Sequence, residues 1–183
     1  MRLRPTRILA VAATLVGVAA CGQESHPTVA DNEGFYVDAG PITYQVQLSR
    51  ELNPSNAEDR AYLNGVTAPA PAANEEWFAI FLRAKNQTKA PATTTDSFVL
   101  FDTQGNKYYP VALNAAVDPF AWTPQTLTPS ATEPAPDTPA SFGPTQGGEV
   151  LFKINTSSYA NRPLTLEIHA AGQAIPSTVS IDL

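Results

Sequence analysis

Ile42, Tyr44, Val46 and Leu48 alternate with Thr43, Gln45, Gln47 and Ser49. A period of two marks a strand with one buried and one wet face, so a strand is predicted over 42–49. The same alternation recurs at Val150, Phe152 and Ile154, and at Leu164, Leu166 and Ile168 with Thr165, Glu167 and His169 facing out. Val179, Ile181 and Leu183 repeat it at the end of the chain. Residues 77–84 are apolar apart from Arg83, and their length and aromatics suit a central strand. Residues 98–101 and 108–113 read as two further strands. Between them, Asp102, Thr103, Gln104, Gly105 and Asn106 supply hairpin-turn chemistry.

One short helix is expected after the first strand. Asn53 is its cap, Pro54 its first residue, Glu58 and Asp59 lie early, and Asn64-Gly65 ends it. Residues 114–148 hold Pro119, Pro124, Pro129, Pro134, Pro136, Pro139 and Pro144. Proline cannot donate to a sheet ladder, so this stretch is predicted to be a long loop over the surface. Seven or eight alternating strands, one helix and turn signals between them give an all-β class and a two-sheet sandwich.

The first twenty residues do not belong to that pattern. Arg2, Arg4 and Arg7 form a positive start, residues 8–20 are uncharged and almost wholly apolar, and small Ala19 and Ala20 precede Cys21. This is the layout of a secretory signal peptide over residues 1–20. Its apolar run, about 13 residues, is short of the roughly 20 that span a bilayer. Val18-Ala19-Ala20-Cys21 resembles the bacterial lipobox. That resemblance implies cleavage between Ala20 and Cys21, lipid on the Cys21 thiol, and a protein exported and anchored at the outer face of the cell membrane. One acyl chain holds marginally and two or more hold stably. Residues 21–40, polar until Phe35, then read as the lipidated cysteine and a tether, with the domain over 41–183.

Charge narrows the partners. The leader takes three of the eleven basic residues and none of the seventeen acidic ones, leaving a net charge of −9. An acidic domain does not match nucleic acid. Cys21 is the only cysteine, so no disulfide supports the fold.

Three segments together carry a resemblance: Ile42-Thr43-Tyr44-Gln45-Val46 leading into Arg50-Glu51-Leu52-Asn53-Pro54, the strand from Trp77 closing on Asn86, and the hairpin from Phe98 to Tyr109. The domain resembles an immunoglobulin-like family of secreted bacterial proteins and lipoproteins, mostly of unknown function and widespread in actinobacteria. The resemblance implies an immunoglobulin-like sandwich over residues 40–183 and no catalytic motif. The proline-rich insert departs from the compact family pattern.

Candidate chemistry is sparse. Met1 leaves with the leader, Cys21 is blocked by lipid, and His26 and His169 are too few for a soft metal site, so no metal and no cofactor is expected. Glu58 with Asp59, and Glu75 with Glu76, read as solvated surface. No nucleophile elbow or penicillin-binding motif is present, so no catalytic residue is assigned. The remaining feature is aromatic: Phe120 and Trp122, with Tyr108 and Tyr109 before them, are candidate partner-binding residues, since rigid aromatics lose little entropy on contact. The alternative role for these rings is to cover an open end of the sandwich. The reading is thus a non-catalytic interaction module that serves an envelope protein complex. A small-ligand or glycan binder is the alternative, and an envelope enzyme accessory is a third.

Overall fold

The computed structural model describes residues 24–182. Cys21, Ala20 and the expected signal peptide therefore lie outside the described residues, as does Leu183. Seven strands have four or more residues: β2 (Tyr36–Ala39), β3 (Ile42–Leu52), β4 (Glu75–Asn86), β6 (Phe98–Phe101), β10 (Gly148–Asn155), β11 (Leu164–Ile168) and β12 (Ser177–Ile181). Five two-residue pieces complete the set: β1 (Val29–Ala30), β5 (Ala92–Thr93), β7 (Lys107–Tyr108), β8 (Thr126–Leu127) and β9 (Thr132–Glu133). One sheet runs β1-β12-β11-β6-β7 and the other β10-β4-β3-β2, with β9 continuing along β4 beyond β10. Strands β5 and β8 form a small third sheet. The chain is an all-β sandwich.

The alternation seen in the sequence explains the main core. Ile42, Tyr44 and Val46 of β3, Phe78, Ile80 and Leu82 of β4, and Phe152 and Ile154 of β10 face Leu100, Leu164, Leu166, Ile168, Val179 and Ile181 of the opposite sheet. The register between Val46 and Leu48 slips by a bulge, which resets parity for the second half of β3. Beyond it Leu52 joins a second apolar cluster, with Trp77, Ala79 and Phe81 of β4, Leu151 of β10 and Tyr62. That cluster lies on the face of the sheet turned away from the first core. The continuous apolar run over 77–84 therefore has its cause: both faces of β4 are covered.

Three sequence expectations change. The helix shrinks to α1 (Asp59–Tyr62), because Asn53 Oδ1 accepts from the Ser55 amide and Asn56 Oδ1 from the Glu58 amide, each at 2.9 Å. Such local side-chain bonds compete with helix. The strand expected over 108–113 stops at Tyr108. Past it the chain leaves the sheet, and the Val111 amide donates to the Leu151 carbonyl at 2.7 Å, setting this segment over the second cluster. The tether expected over 21–40 is shorter, because β1 pairs in parallel with β12 and β2 pairs with β3. From His26 onward the segment is part of the domain.

The long excursion is ordered by brief local elements. It carries β8, β9 and α2 (Pro139–Phe142), whose Thr138 cap forms a capping box with Ser141. It ends at Gly147, with φ +126°, where an added Cβ would lie 2.8 Å from the Phe81 carbonyl carbon.

Candidate functional site

The aromatic residues singled out from the sequence divide into anchors and display. Trp122 plugs the open side of the sandwich. Its indole Nε1–H donates to the Thr95 carbonyl at 2.8 Å, and its ring lies 6.1 Å from Tyr44 and 6.0 Å from Phe98. Gly148 lies beneath the same ring, so close that a Cβ there would be 2.7 Å from it. Phe120 packs on Tyr62, ring centroids 4.7 Å apart, as part of the second apolar cluster. Tyr108 packs against the main core, and burial together with the Asp102 charge pushes its hydroxyl above the usual range. Tyr109 is 63% exposed. Phe120 and Trp122 thus hold the excursion to the sandwich, Tyr108 belongs to the sandwich itself, and Tyr109 is the displayed member. Val117 and Phe142, on the excursion itself, are displayed as well.

Sequence parity missed a buried polar group under this cover. Glu149 lies on β10 between inward positions, so alternation places it on the outer face, where solvent is expected. The segment around Phe120 roofs that face, and Glu149 is 1% exposed. The Trp122 amide donates to the Glu149 carbonyl at 2.8 Å and the Glu149 amide to the Phe120 carbonyl at 2.7 Å. Neither Glu149 carboxyl oxygen has a hydrogen-bond partner among the described residues. Burial first, and the Asp118 charge second, push its pKa up to about 9 against the opposing pull of Arg50. Asp118 is buried beside it and pushed up to about 6 by burial, although the Phe120 and Ala121 amides oppose the shift. Arg50 is already engaged, with its Nη1 2.7 Å from Asp59 and its guanidinium 5.6 Å from the Tyr62 ring centroid. Asp59, expected to be solvated, is therefore a buried ion-pair partner. Glu76, of the other adjacent pair, faces Glu51, and burial plus that neighbour push it up to about 7.

Two open clefts flank Trp122. One, of about 210 Å³, is walled by Phe98, Val111, Leu113 and Glu149. The other, of about 270 Å³, is walled by Phe120, Gln125, Glu133 and Thr138. Glu133 is buried, accepts from the Thr94 hydroxyl at 2.6 Å, and is pushed up to about 7 by burial, against bonds from Thr94, Gln125 and Thr123. Both clefts are smaller than the roughly 300–1,000 Å³ usual for small-molecule sites. Trp122 is half-buried, with Gly148, Tyr44 and Phe98 packed around part of its ring.

Of the histidines, His169 lies 3.1 Å from Glu167 on the outer face of β11's sheet. His26 docks on Asp38, whose Oδ2 accepts from the His26 amide at 2.7 Å, and its ring lies 5.2 Å from Tyr36. Among the described residues no group of three or more His, Cys, Asp or Glu side chains is placed to hold a metal ion. The Asp102 loop is a turn. Burial alone would raise its carboxyl, but hydrogen bonds from the Asn106 and Asn161 side chains and from the Asn106 and Gln104 amides outweigh that and lower it.

No family model matches the chain, and no curated protein does. Solved structures do. The yjhA protein from Bacillus subtilis is similar at 14% identity and a TM-score of 0.55, over 83% of this chain and 99% of that one. A candidate lipoprotein, ycdA, from Bacillus subtilis is similar at 10% identity and a TM-score of 0.50, over 81% of this chain and 38% of that longer one. An uncharacterized β-sandwich protein from Clostridium difficile aligns with a TM-score of 0.43 at 11% identity, over 86% of this chain and 95% of that one. At such identities the likeness concerns the fold, which in this chain is a β-sandwich with a roofed outer face.

Proposed function

We propose that the chain is an exported lipoprotein, held by lipid on Cys21 at the outer face of the cell membrane, whose sandwich is a non-catalytic interaction module in an envelope protein complex. The immunoglobulin-like family reading belongs to this proposal, as does an actinobacterial origin. The leader and lipobox support the anchoring. The observation that carries the interaction reading is the excursion. Trp122 and Phe120 anchor it, prolines stiffen it, and it presents Val117 and Phe142 to solvent, with Tyr109 displayed just before it in the chain. Exposed apolar side chains on a pre-ordered segment are a low-entropy contact surface.

The test is crosslinking and affinity capture of the full-length protein from its own membranes, read by mass spectrometry. Cys21→Ala and Tyr109→Ala/Phe142→Ala proteins are run beside it. One envelope complex, enriched with the parent and lost in both variants, supports the reading. An unchanged set of partners with the Tyr109→Ala/Phe142→Ala protein overturns the excursion as the contact. A small-ligand role has one specific observation in its favour, the cleft that joins Trp122 to Glu133. Saturation-transfer NMR with a panel of oligosaccharides tests it, and no transfer at any concentration rejects it.

A further inference from the structure

The edge where the chain enters the domain differs from the rest of the surface. Strand β1 closes one sheet and β2 the other, so the entering segment crosses between the two sheet edges. It is pinned throughout: the Asp38 amide donates to the Pro27 carbonyl (3.0 Å), Thr178 to Thr28 (2.8 Å) and Gly34 to Val46 (2.9 Å). Alternation then dictates what faces out. Ala30, Val37 and Ala39 point into the core, and Val29 and Tyr36 point away from it. Val29 is 58% exposed, Phe35 59% and Tyr36 50%, and all three line one groove of about 370 Å³ with His26 and Pro27. These apolar groups are held outward by a well-ordered backbone, not by fraying.

Tyr36 is also a wall of a second groove, on the face of the β2-β3-β4 sheet. There Tyr36 pairs with Gln45, which pairs with Arg83, and on the next rung but one Asp38, Thr43 and Lys85 follow. Arg83 and Lys85 line this groove with Tyr36 and the polar Thr43, Ser130 and Thr132. Two strand spacings of about 4.8 Å put these cations about 10 Å from the aromatic ridge. In a chain with a large acidic excess, an apolar ridge with two basic side chains alongside is a matched pair for acyl chains and phosphate headgroups. Exposed Asp31 lines the same groove as the ridge and exposed Glu24 lies 3.7 Å from His26, so contact is made through the three apolar side chains and the Arg83 side.

Chain length identifies the occupant. His26 is five residues from Cys21, a reach of at most about 18 Å even fully extended. The interfacial layer of a bilayer is itself several ångströms deep. We infer that the Val29-Phe35-Tyr36 ridge, with Arg83 and Lys85 beside it, seats on the phospholipid interface, so that the domain lies against the membrane instead of standing off on a tether. This rests on the lipid anchor proposed above. It also orients the molecule: β7 and Tyr109, at the opposite edge of their sheet from β1, are carried away from the bilayer.

The experiment uses the full-length protein, expressed with its leader, purified from membranes and reconstituted in phosphatidylcholine–phosphatidylglycerol vesicles with or without brominated acyl chains. Intact mass first reads the lipid on Cys21. Phe35→Trp supplies the probe, Val29→Trp a second probe in case the first disturbs the segment, and Tyr109→Trp the control. Seating gives blue-shifted emission at 35 or 29 that brominated lipid quenches relative to the parent protein, and none at 109. A lipidated protein whose added tryptophans are unquenched overturns the seating and leaves the anchor standing. A blue shift without quenching assigns the ridge to a protein contact and also overturns it. Absence of lipid from the mass overturns the anchor and the seating with it.

Discussion

Glu149 shows what one residue in the wrong solvent does. Its carboxyl is pushed up to about 9 from an ordinary 4.5, so the folded state binds its proton more tightly than the unfolded chain. Stability linked to this group is full below about pH 4.5 and falls as pH rises toward 9. Glu133 acts in the same direction up to about 7. Glu149→Gln is expected to flatten the fall: urea midpoints measured from pH 5 to 9 should converge at pH 5. At pH 8 the variant should be more stable by at least about 1.4 kcal/mol, the worth of a single pKa unit. An unchanged slope would show that Glu149 is hydrated in solution. Trp122 and Tyr109 make a second contrast at this scale. Trp122→Ala opens a hole between the sheets and orphans the Thr95 carbonyl, so a loss of about 3–5 kcal/mol is expected in denaturant unfolding. Tyr109→Ala, on an exposed ring, should change stability by less than about 0.5 kcal/mol. Both residues looked alike in the sequence, because an aromatic in a proline-rich stretch carries no mark of what lies beneath it.

At the scale of elements, strands were legible and covers were not. The alternations at 42–49, 150–154, 164–168 and 179–181 each became a strand with the expected inner face, except that the bulge after Val46 leaves Leu48 39% exposed instead of inward. The helix and the strand over 108–113 were overstated, since local hydrogen bonds of Asn53 and Asn56 and the departure of Val111 toward Leu151 are decided by competing partners. Asn86 illustrates such a partner. Its amide donates to the Ala90 and Leu127 carbonyls at 2.8 and 2.9 Å and ties the loop after β4 to the excursion. The return of the excursion depends on Gly147. At φ +126° and with β4 backbone 2.8 Å from any added Cβ, Gly147→Ala is expected to lose more than about 1 kcal/mol. Hydrogen exchange should place the loosened amides in residues 138–149 and leave β11 and β12 protected. A uniform loss would mean that the excursion and sandwich unfold as one unit.

For the whole molecule, stability rests on non-covalent interactions, because a single cysteine cannot form an internal disulfide. A reducing agent should leave the thermal midpoint unchanged. Cys21→Ala should move the protein from the detergent phase to the aqueous phase in a Triton X-114 partition, with no change in the folded domain. A protein that stays in the detergent phase would place its membrane hold elsewhere. These two measurements separate the fold from the proposed anchor.

The linear pattern alone determined which residues form the central strands and which of their faces meets the main core, because inward alternation is a local property of a pleated chain. It also carries the proposal of a leader and a lipid attachment, which rests on contiguous residues. Only the tertiary structure decided what happens on the outer faces. Parity cannot tell solvent from a roof built by residues 110–120, so the burial of Glu149, Asp118 and Asp59 was invisible to it. Nor could it show that the segment between 26 and 39 closes one edge of each sheet. That docking rests on backbone pairing with strands far along the chain, and backbone pairing leaves little trace in side-chain hydropathy.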